Sequence, residues 1–150
     1  MKANDLAAPQ HRGAGCLFYI PSNRNFLLIK RSSLVSMPNT WCLPGGSAEK
    51  QELPAHAACR EAYEEIGYQV DPSTLSLIYT NETHAPKFKF YTFACIIDKK
   101  FEPRLNWESV DYLWCTIDEL PDPLHWGLTQ LFNSDRAAKR LVNLTAQNTR

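Results

Sequence analysis

Apolar residues run almost unbroken over 13–20 and lead a second segment, 26–31, that ends in Lys30-Arg31; the two lie on either side of Pro21-Ser22-Asn23-Arg24. Two such runs around a Pro, Ser and Asn segment predict a β-hairpin. Residues 32–40 read as a loop. Trp41-Cys42-Leu43 is a short apolar stretch stopped by Pro44-Gly45-Gly46, which predicts a strand running into a flexible glycine loop. Over 53–66 the apolar spacing becomes helical, with Pro54 in the first turn and Gly67 placed to close the helix in a left-handed cap. Beyond a turn at Asp71-Pro72-Ser73, residues 75–80 and 88–97 are rich in the aromatic and β-branched types that strands favour, and 110–117 repeat the pattern. A bend at Pro121-Asp122-Pro123 leads into predicted helices over 124–132 and 134–144. Strands on both sides of a central helix predict an α/β architecture, a mixed sheet flanked by helices. Residues 1–12 form a polar leader, expected to be flexible or to lie at a sheet edge.

Composition narrows the reading. At 150 residues and 44% hydrophobic, the chain suits one globular domain over 1–150, able to bury ~70% of its unfolded surface. Sixteen Lys plus Arg against sixteen Asp plus Glu leave no net charge, which excludes a broad footprint for duplex nucleic acid or an anionic membrane. No apolar run approaches the ~20 residues of a membrane span. The first residues lack the layout of a signal peptide, and the five Cys are odd in number and mostly within apolar segments. Reduced core thiols and a cytoplasmic location are the expectation. His11, His56, His84 and His125 are too scattered for a recognisable zinc site.

The chemistry concentrates on the helix over 53–66. Glu61, Glu64 and Glu65 lie three and four residues apart, so their carboxylates share one face, while Ala58, Cys59, Ala62 and Ile66 occupy another that suits packing on a sheet. A solvated surface is the ordinary fate of such charge. Here position argues against it. Glu64 and Glu65 sit in the last turn, where the helix dipole disfavours carboxylates by ~0.3–1 kcal/mol each. Mutual repulsion adds ~0.2–0.5 kcal/mol per pair, of which Arg60 relieves part. A hard divalent cation reverses the sign of that problem, and Mg²⁺ is the natural choice for carboxylate oxygen. Gly45-Gly46 supplies backbone that a ligand or metal can approach closely.

Residues 46–68 resemble the signature of the Nudix hydrolases: Gly46, five residues, Glu52, seven residues, then Arg60-Glu61-Ala62-Tyr63-Glu64-Glu65-Ile66-Gly67-Tyr68. All seven fixed positions are present; at roughly 6–7% usage per residue type, chance supplies such a match on the order of 10⁻⁸ to 10⁻⁹ times per starting point. Small Ala62 and aromatic Tyr68 depart from the usual aliphatic residues at two variable positions. Neither departure removes an acid.

The resemblance implies a Nudix-type αβα sandwich and hydrolysis of a nucleoside diphosphate linked to another moiety, by water attack at phosphorus. It implies Mg²⁺, with Mn²⁺ as a substitute, held by the Gly46 carbonyl, Glu61, Glu64 and Glu65, while Glu52 and Arg60 brace the loop and helix by ion pairing. Glu64 or Glu65 is the first candidate to accept the proton from water, and Glu108, before the strand over 110–117, resembles a loop acid that some members use. Glu82, Glu102 and Glu119 are weaker options. No motif offers a Ser or Cys nucleophile with a positioned base.

Recognition of a small nucleotide-derived substrate depends on residues outside the signature. Phe88, Phe90, Tyr91, Trp107 and Trp126 are candidates to stack on a base, Arg31, Lys87 and Lys89 to meet phosphate, and His125 to lie near a pocket, each against the plain alternative of packing or surface charge. A nucleotide sugar such as ADP-ribose, a dinucleoside polyphosphate and an NTP or dNTP all fit. The competing reading is a catalytically idle Nudix domain that binds a nucleotide or a protein as a sensor. Homodimers are frequent in the family, so pairing of two chains is a further expectation.

Overall fold

The computed structural model describes residues 11–84 and 87–148. Among these, seven strands form one mixed sheet: β1 (His11–Ile20), β2 (Asn25–Arg31), β3 (Trp41–Cys42), β4 (Gly45–Ser47), β5 (Ser76–His84), β6 (Lys87–Ile96) and β7 (Ser109–Cys115). Helix α1 (Pro54–Ile66) covers one face, and α2 (Trp126–Phe132) with α3 (Asp135–Asn148) covers the other. This is the expected αβα sandwich. Residues 1–10 of the expected leader lie outside the described residues, but His11 and Arg12 already belong to β1.

At its centre both faces of the sheet are dry, which is why 13–20 and 26–29 read as continuous apolar runs rather than as alternation. Cys16, Phe18, Leu27 and Ile29 point toward Ala62 and Ile66 of α1. Their neighbours Leu17, Phe26 and Leu28 point the other way, toward Ile78, Ala94, Leu128, Leu131 and Ala137. Ala57, Ala58 and Ala62, all fully buried, let α1 approach the sheet closely; Ile66, at 1% exposed, adds ~1.5–3 kcal/mol of burial. The helix closes at Gly67, as expected, with φ 70°.

The sheet is split where the site forms. β1 and β2 pair beside their turn, at Tyr19↔Phe26 and Ile20↔Asn25, and then diverge. Farther along, β1 pairs instead with β4 at Gly13↔Ser47 through Gly15↔Gly45, while β2 pairs with β3 at Ile29↔Cys42 and Lys30↔Trp41. β2 also pairs with β7, and β1 runs parallel to β6, which is paired antiparallel with β5.

Several boundaries differ from the sequence expectation. The glycine loop is a strand: the backbone of Gly45 lies so close to β1 that an added Cβ would stand 2.5 Å from the Ala14 carbonyl oxygen. β5 continues past residue 80 through Asn81-Glu82-Thr83-His84, polar because this edge strand is half solvated. β7 ends at Cys115, and Ile117 begins a 3₁₀ turn. α3 runs beyond residue 144 to Asn148. The five cysteines are all free, with Cys16, Cys95 and Cys115 buried. No helix among the described residues is long and apolar enough to cross a membrane.

Candidate metal centre and ligand cleft

The separation of α1 into an apolar and an anionic face fails at Glu65. Being three residues from Ala62, Glu65 falls on the buried stripe, and it is 6% exposed. Its Oε1 accepts the Gly45 N–H at 2.7 Å. Ala57 turns inward instead of Cys59, which is half-buried. Glu61 lies against Gly46, where an added Cβ would come within 2.6 Å of the carboxylate; only glycine leaves that space to the acid. Glu108 arrives from the loop before β7. One carboxylate oxygen from each of Glu61, Glu65 and Glu108 lies within 4.8 Å of the other two.

Glu64 is not brought into that trio. Its Oε1 accepts from Arg60 Nη1 at 3.1 Å, and its side chain is 51% exposed. Arg60 is the hub of the helix's ion pairs: Nε and Nη2 grip both Glu52 oxygens at 2.9 and 3.0 Å, Nη1 also reaches Glu61 at 3.3 Å, and Nη2 donates to the Ser47 carbonyl at 3.0 Å. The hydrogen bond from Arg60 holds the Glu52 carboxyl below its usual range. The bracing roles of Glu52 and Arg60 have a visible geometry. Arg12, read from sequence as part of the leader, donates to the Glu52 carbonyl at 2.8 Å and pins the same turn.

Burial pushes the Glu65 carboxyl up to about 8, and the charges of Glu61 and Glu108 push in the same direction. Burial likewise raises Glu61. Three carboxylates converging on a cavity of about 320 Å³, all oxygen donors and one of them desolvated, fit a hard divalent cation such as Mg²⁺. The raised Glu65 carboxyl contributes stability that is complete below its ordinary value of 4.5 and is lost as pH rises through about 8. The metal-free protein is therefore expected to lose stability between pH 5 and pH 8.5. Because a cation must displace the Glu65 proton, Mg²⁺ should raise Tm more at pH 8.5 than at pH 6. Equal shifts in a thermal-melt series at the two pH values would place cation binding elsewhere.

A second cavity, about 450 Å³, opens beside the first; Arg31, Cys42, Gly45, Gly46 and Ser47 line both. Its walls carry Phe88, Phe90, Trp126 and His125. Phe88 and Phe90 project from one face of β6 with ring centroids 6.2 Å apart. Tyr91 lies on the opposite face in the α1-side core, with Lys89 over its ring at 5.2 Å and paired to Glu82 at 3.9 Å. Trp107 lines neither cavity and is 63% exposed. Lys87, Glu102 and Glu119 are also absent from both linings. His125 serves as the N-cap of α2, its Nδ1 accepting the Gly127 N–H at 3.0 Å; burial, then the Arg31 charge, lowers its pKa. Arg31 is tethered to the Ser36 carbonyl at 2.6 Å and the Ser36 hydroxyl at 3.0 Å.

Sequence reasoning did not single out Cys42, Ser47 or Ser109 as lining residues, or Asn106 beside Glu108. The spacing Asn-x-Glu is an Asx-turn pattern, and that was the available signal for Asn106.

A family model described as NUDIX domain matches residues 9–134. The human "Diphosphoinositol polyphosphate phosphohydrolase 3-alpha" is 30% identical over 96 residues, covering 64% of this chain and 55% of that protein. The chain thus spans about half the length of the curated relatives it matches. Among solved structures, a MutT NUDIX hydrolase from Burkholderia pseudomallei superposes with TM-score 0.67 at 25% identity, over 79% of this chain and 92% of that one. The NUDIX domain of Shewanella oneidensis NrtR, complexed with ADP ribose, superposes with TM-score 0.69 at 18% identity, over 94% and 99%.

Proposed function

The chain belongs to the NUDIX family, and from that premise we propose that it is a metal-dependent pyrophosphohydrolase acting on a small nucleotide derivative by water attack at phosphorus. The observation that carries this reading is the shared wall between an acid-lined cavity and an aromatic cleft, which gives a diphosphate and its attached ring adjoining places. Glu61, Glu65 and Glu108, with the Gly46 carbonyl, would hold Mg²⁺, or Mn²⁺ in its place. When bound, such a cation supplies positive charge to phosphate oxygens and to the attacking water.

The chain's own residues account for the rest. Arg60 and Glu52 keep the helix and its preceding turn in register. Of the three acids that line the cavity, Glu65 and Glu108 are the proton acceptors, while Glu64, outside that lining, is held by Arg60. Arg31, common to both cavities, meets the phosphates, and Phe88 and Phe90 stack on the base.

The deciding experiment follows release of the two phosphorylated products, resolved by anion-exchange chromatography, with Mg²⁺ and with chelator, from ADP-ribose, a dinucleoside polyphosphate, NTPs, dNTPs and a diphosphoinositol polyphosphate. Mg²⁺-dependent release from a nucleotide substrate is expected. No release from any of them, together with nucleotide binding by calorimetry, would replace this reading with that of a sensor domain. Phe90→Ala is expected to raise KM roughly tenfold and leave kcat near wild type, since a stacked base contributes ~1–3 kcal/mol. A fall in kcat with unchanged KM would remove Phe90 from the binding surface.

A further inference from the structure

Asn106 connects two parts of the acid cavity that lie far apart in sequence. Its side-chain Nδ2 donates to the Glu64 carbonyl at 3.1 Å and to Glu108 Oε1 at 3.3 Å, while its Oδ1 accepts the Glu108 N–H at 2.9 Å. Its own backbone N–H donates to the Glu65 carbonyl at 3.3 Å, and the Arg104 N–H to the Ile66 carbonyl at 2.9 Å. The carbonyls of Glu64, Glu65 and Ile66 belong to the last turn of α1, where a helix leaves its acceptors unpaired. The loop before β7 satisfies them. Through one amide side chain the same loop also fixes the turn and the carboxylate of Glu108. The Glu108 carbonyl is held on its far side by the Ser32 N–H at 2.9 Å, so its backbone is fixed from two directions.

We propose that Asn106 is a positioning residue, whose amide couples the end of the acidic helix to Glu108 and sets that carboxylate at coordinating distance from Glu61 and Glu65. This rests on the metal reading of the trio. The bridge requires a donor and an acceptor on one short planar group: Asp lacks the donor, and Ser is too short to reach the helix carbonyl and the Glu108 carboxylate together. Partners of this kind typically change metal affinity by ~10–100-fold when removed.

The test is a double-mutant cycle read by Mn²⁺ titration of the substrate-free protein, following water-proton relaxation, with metal-free melting measured alongside. Asn106→Ala is expected to weaken Mn²⁺ binding about tenfold in the wild-type background. In the Glu108→Ala background it should change affinity less than about twofold, because the group it positions is gone. Asn106→Ser, which can still accept the Glu108 N–H, should melt closer to wild type than Asn106→Ala while losing Mn²⁺ affinity as Asn106→Ala does. An equal loss of affinity in both backgrounds would show that Asn106 acts by capping α1 alone and would overturn the proposal. Absence of Mn²⁺ binding to the wild-type protein would instead bring down the metal reading, and the proposal with it.

Discussion

Glu65→Gln is expected to lower kcat/KM by about a thousandfold, on the order of 4 kcal/mol of lost transition-state stabilisation, while making the metal-free protein more stable at pH 8.5. The two effects share one cause. Glu65 is nearly fully buried, and burial holds its carboxyl up to about 8, so above that pH the folded chain carries a desolvated charge that the unfolded chain does not. Gln fills the same volume and its Oε1 can still accept the Gly45 N–H, but it carries no charge to desolvate and none to offer a cation. At pH 4, below the ordinary value of 4.5, Glu65 is protonated in the folded and the unfolded chain alike and the stability difference should vanish. Glu64→Gln is the internal comparison: at 51% exposure, and tied to Arg60, it should cost roughly tenfold in activity. Melting curves at the two pH values and steady-state kinetics on both variants check the pair. A Glu65→Gln protein that keeps wild-type turnover, or that melts lower than wild type at pH 8.5, would refute the assignment.

The helix was legible because its information is local. Acids at three- and four-residue spacing, Pro54 at the start and Gly67 at the end fix where the carboxylates sit on α1 without knowledge of the rest of the chain. Which acids meet was less legible. Periodicity put Glu64 with Glu61, but Arg60 competes for Glu64, and Glu108 takes the third place from 43 residues beyond Glu65 through bonds made by Asn106. Strand pairing was hidden for the same reason. Gly45-Gly46 has the composition of a turn, and only the approach of β1 makes it a strand; the parallel register of β1 on β6 leaves no mark in either segment. Among the recognition residues, Phe88 and Phe90 share the cleft because alternation along β6 puts them on one face. Trp107 does not, since the turn that directs Glu108 inward leaves its neighbour in solvent.

Arg60→Ala is expected to lower Tm by roughly 5–10 °C at pH 7.5, from about 2–3 kcal/mol of lost stability, and to reduce activity with it. Arg60 is three-quarters buried, and two of its partners lie deeper: Glu52 is 15% exposed and Glu61 13%. Removing the guanidinium leaves these carboxylates, with Glu64, facing one another without a counter-charge. Breaking a fully buried pair from one side typically costs ~3–5 kcal/mol, and the partial exposure here calls for the lower figure. Lysine should not restore the loss: its single ammonium cannot grip both Glu52 oxygens while reaching Glu64 and the Ser47 carbonyl, as the planar fork does. The pH dependence identifies the partner. Glu52 has its carboxyl lowered by Arg60, so the stability it contributes is present above its ordinary value of 4.5 and is lost as pH falls through its lowered value in the folded protein. The gap in Tm between wild type and Arg60→Ala should therefore be full at pH 7.5 and close progressively in acid. A gap that stays constant down to pH 3 would mean that Arg60 stabilises the helix by packing of its stem and not by its charge.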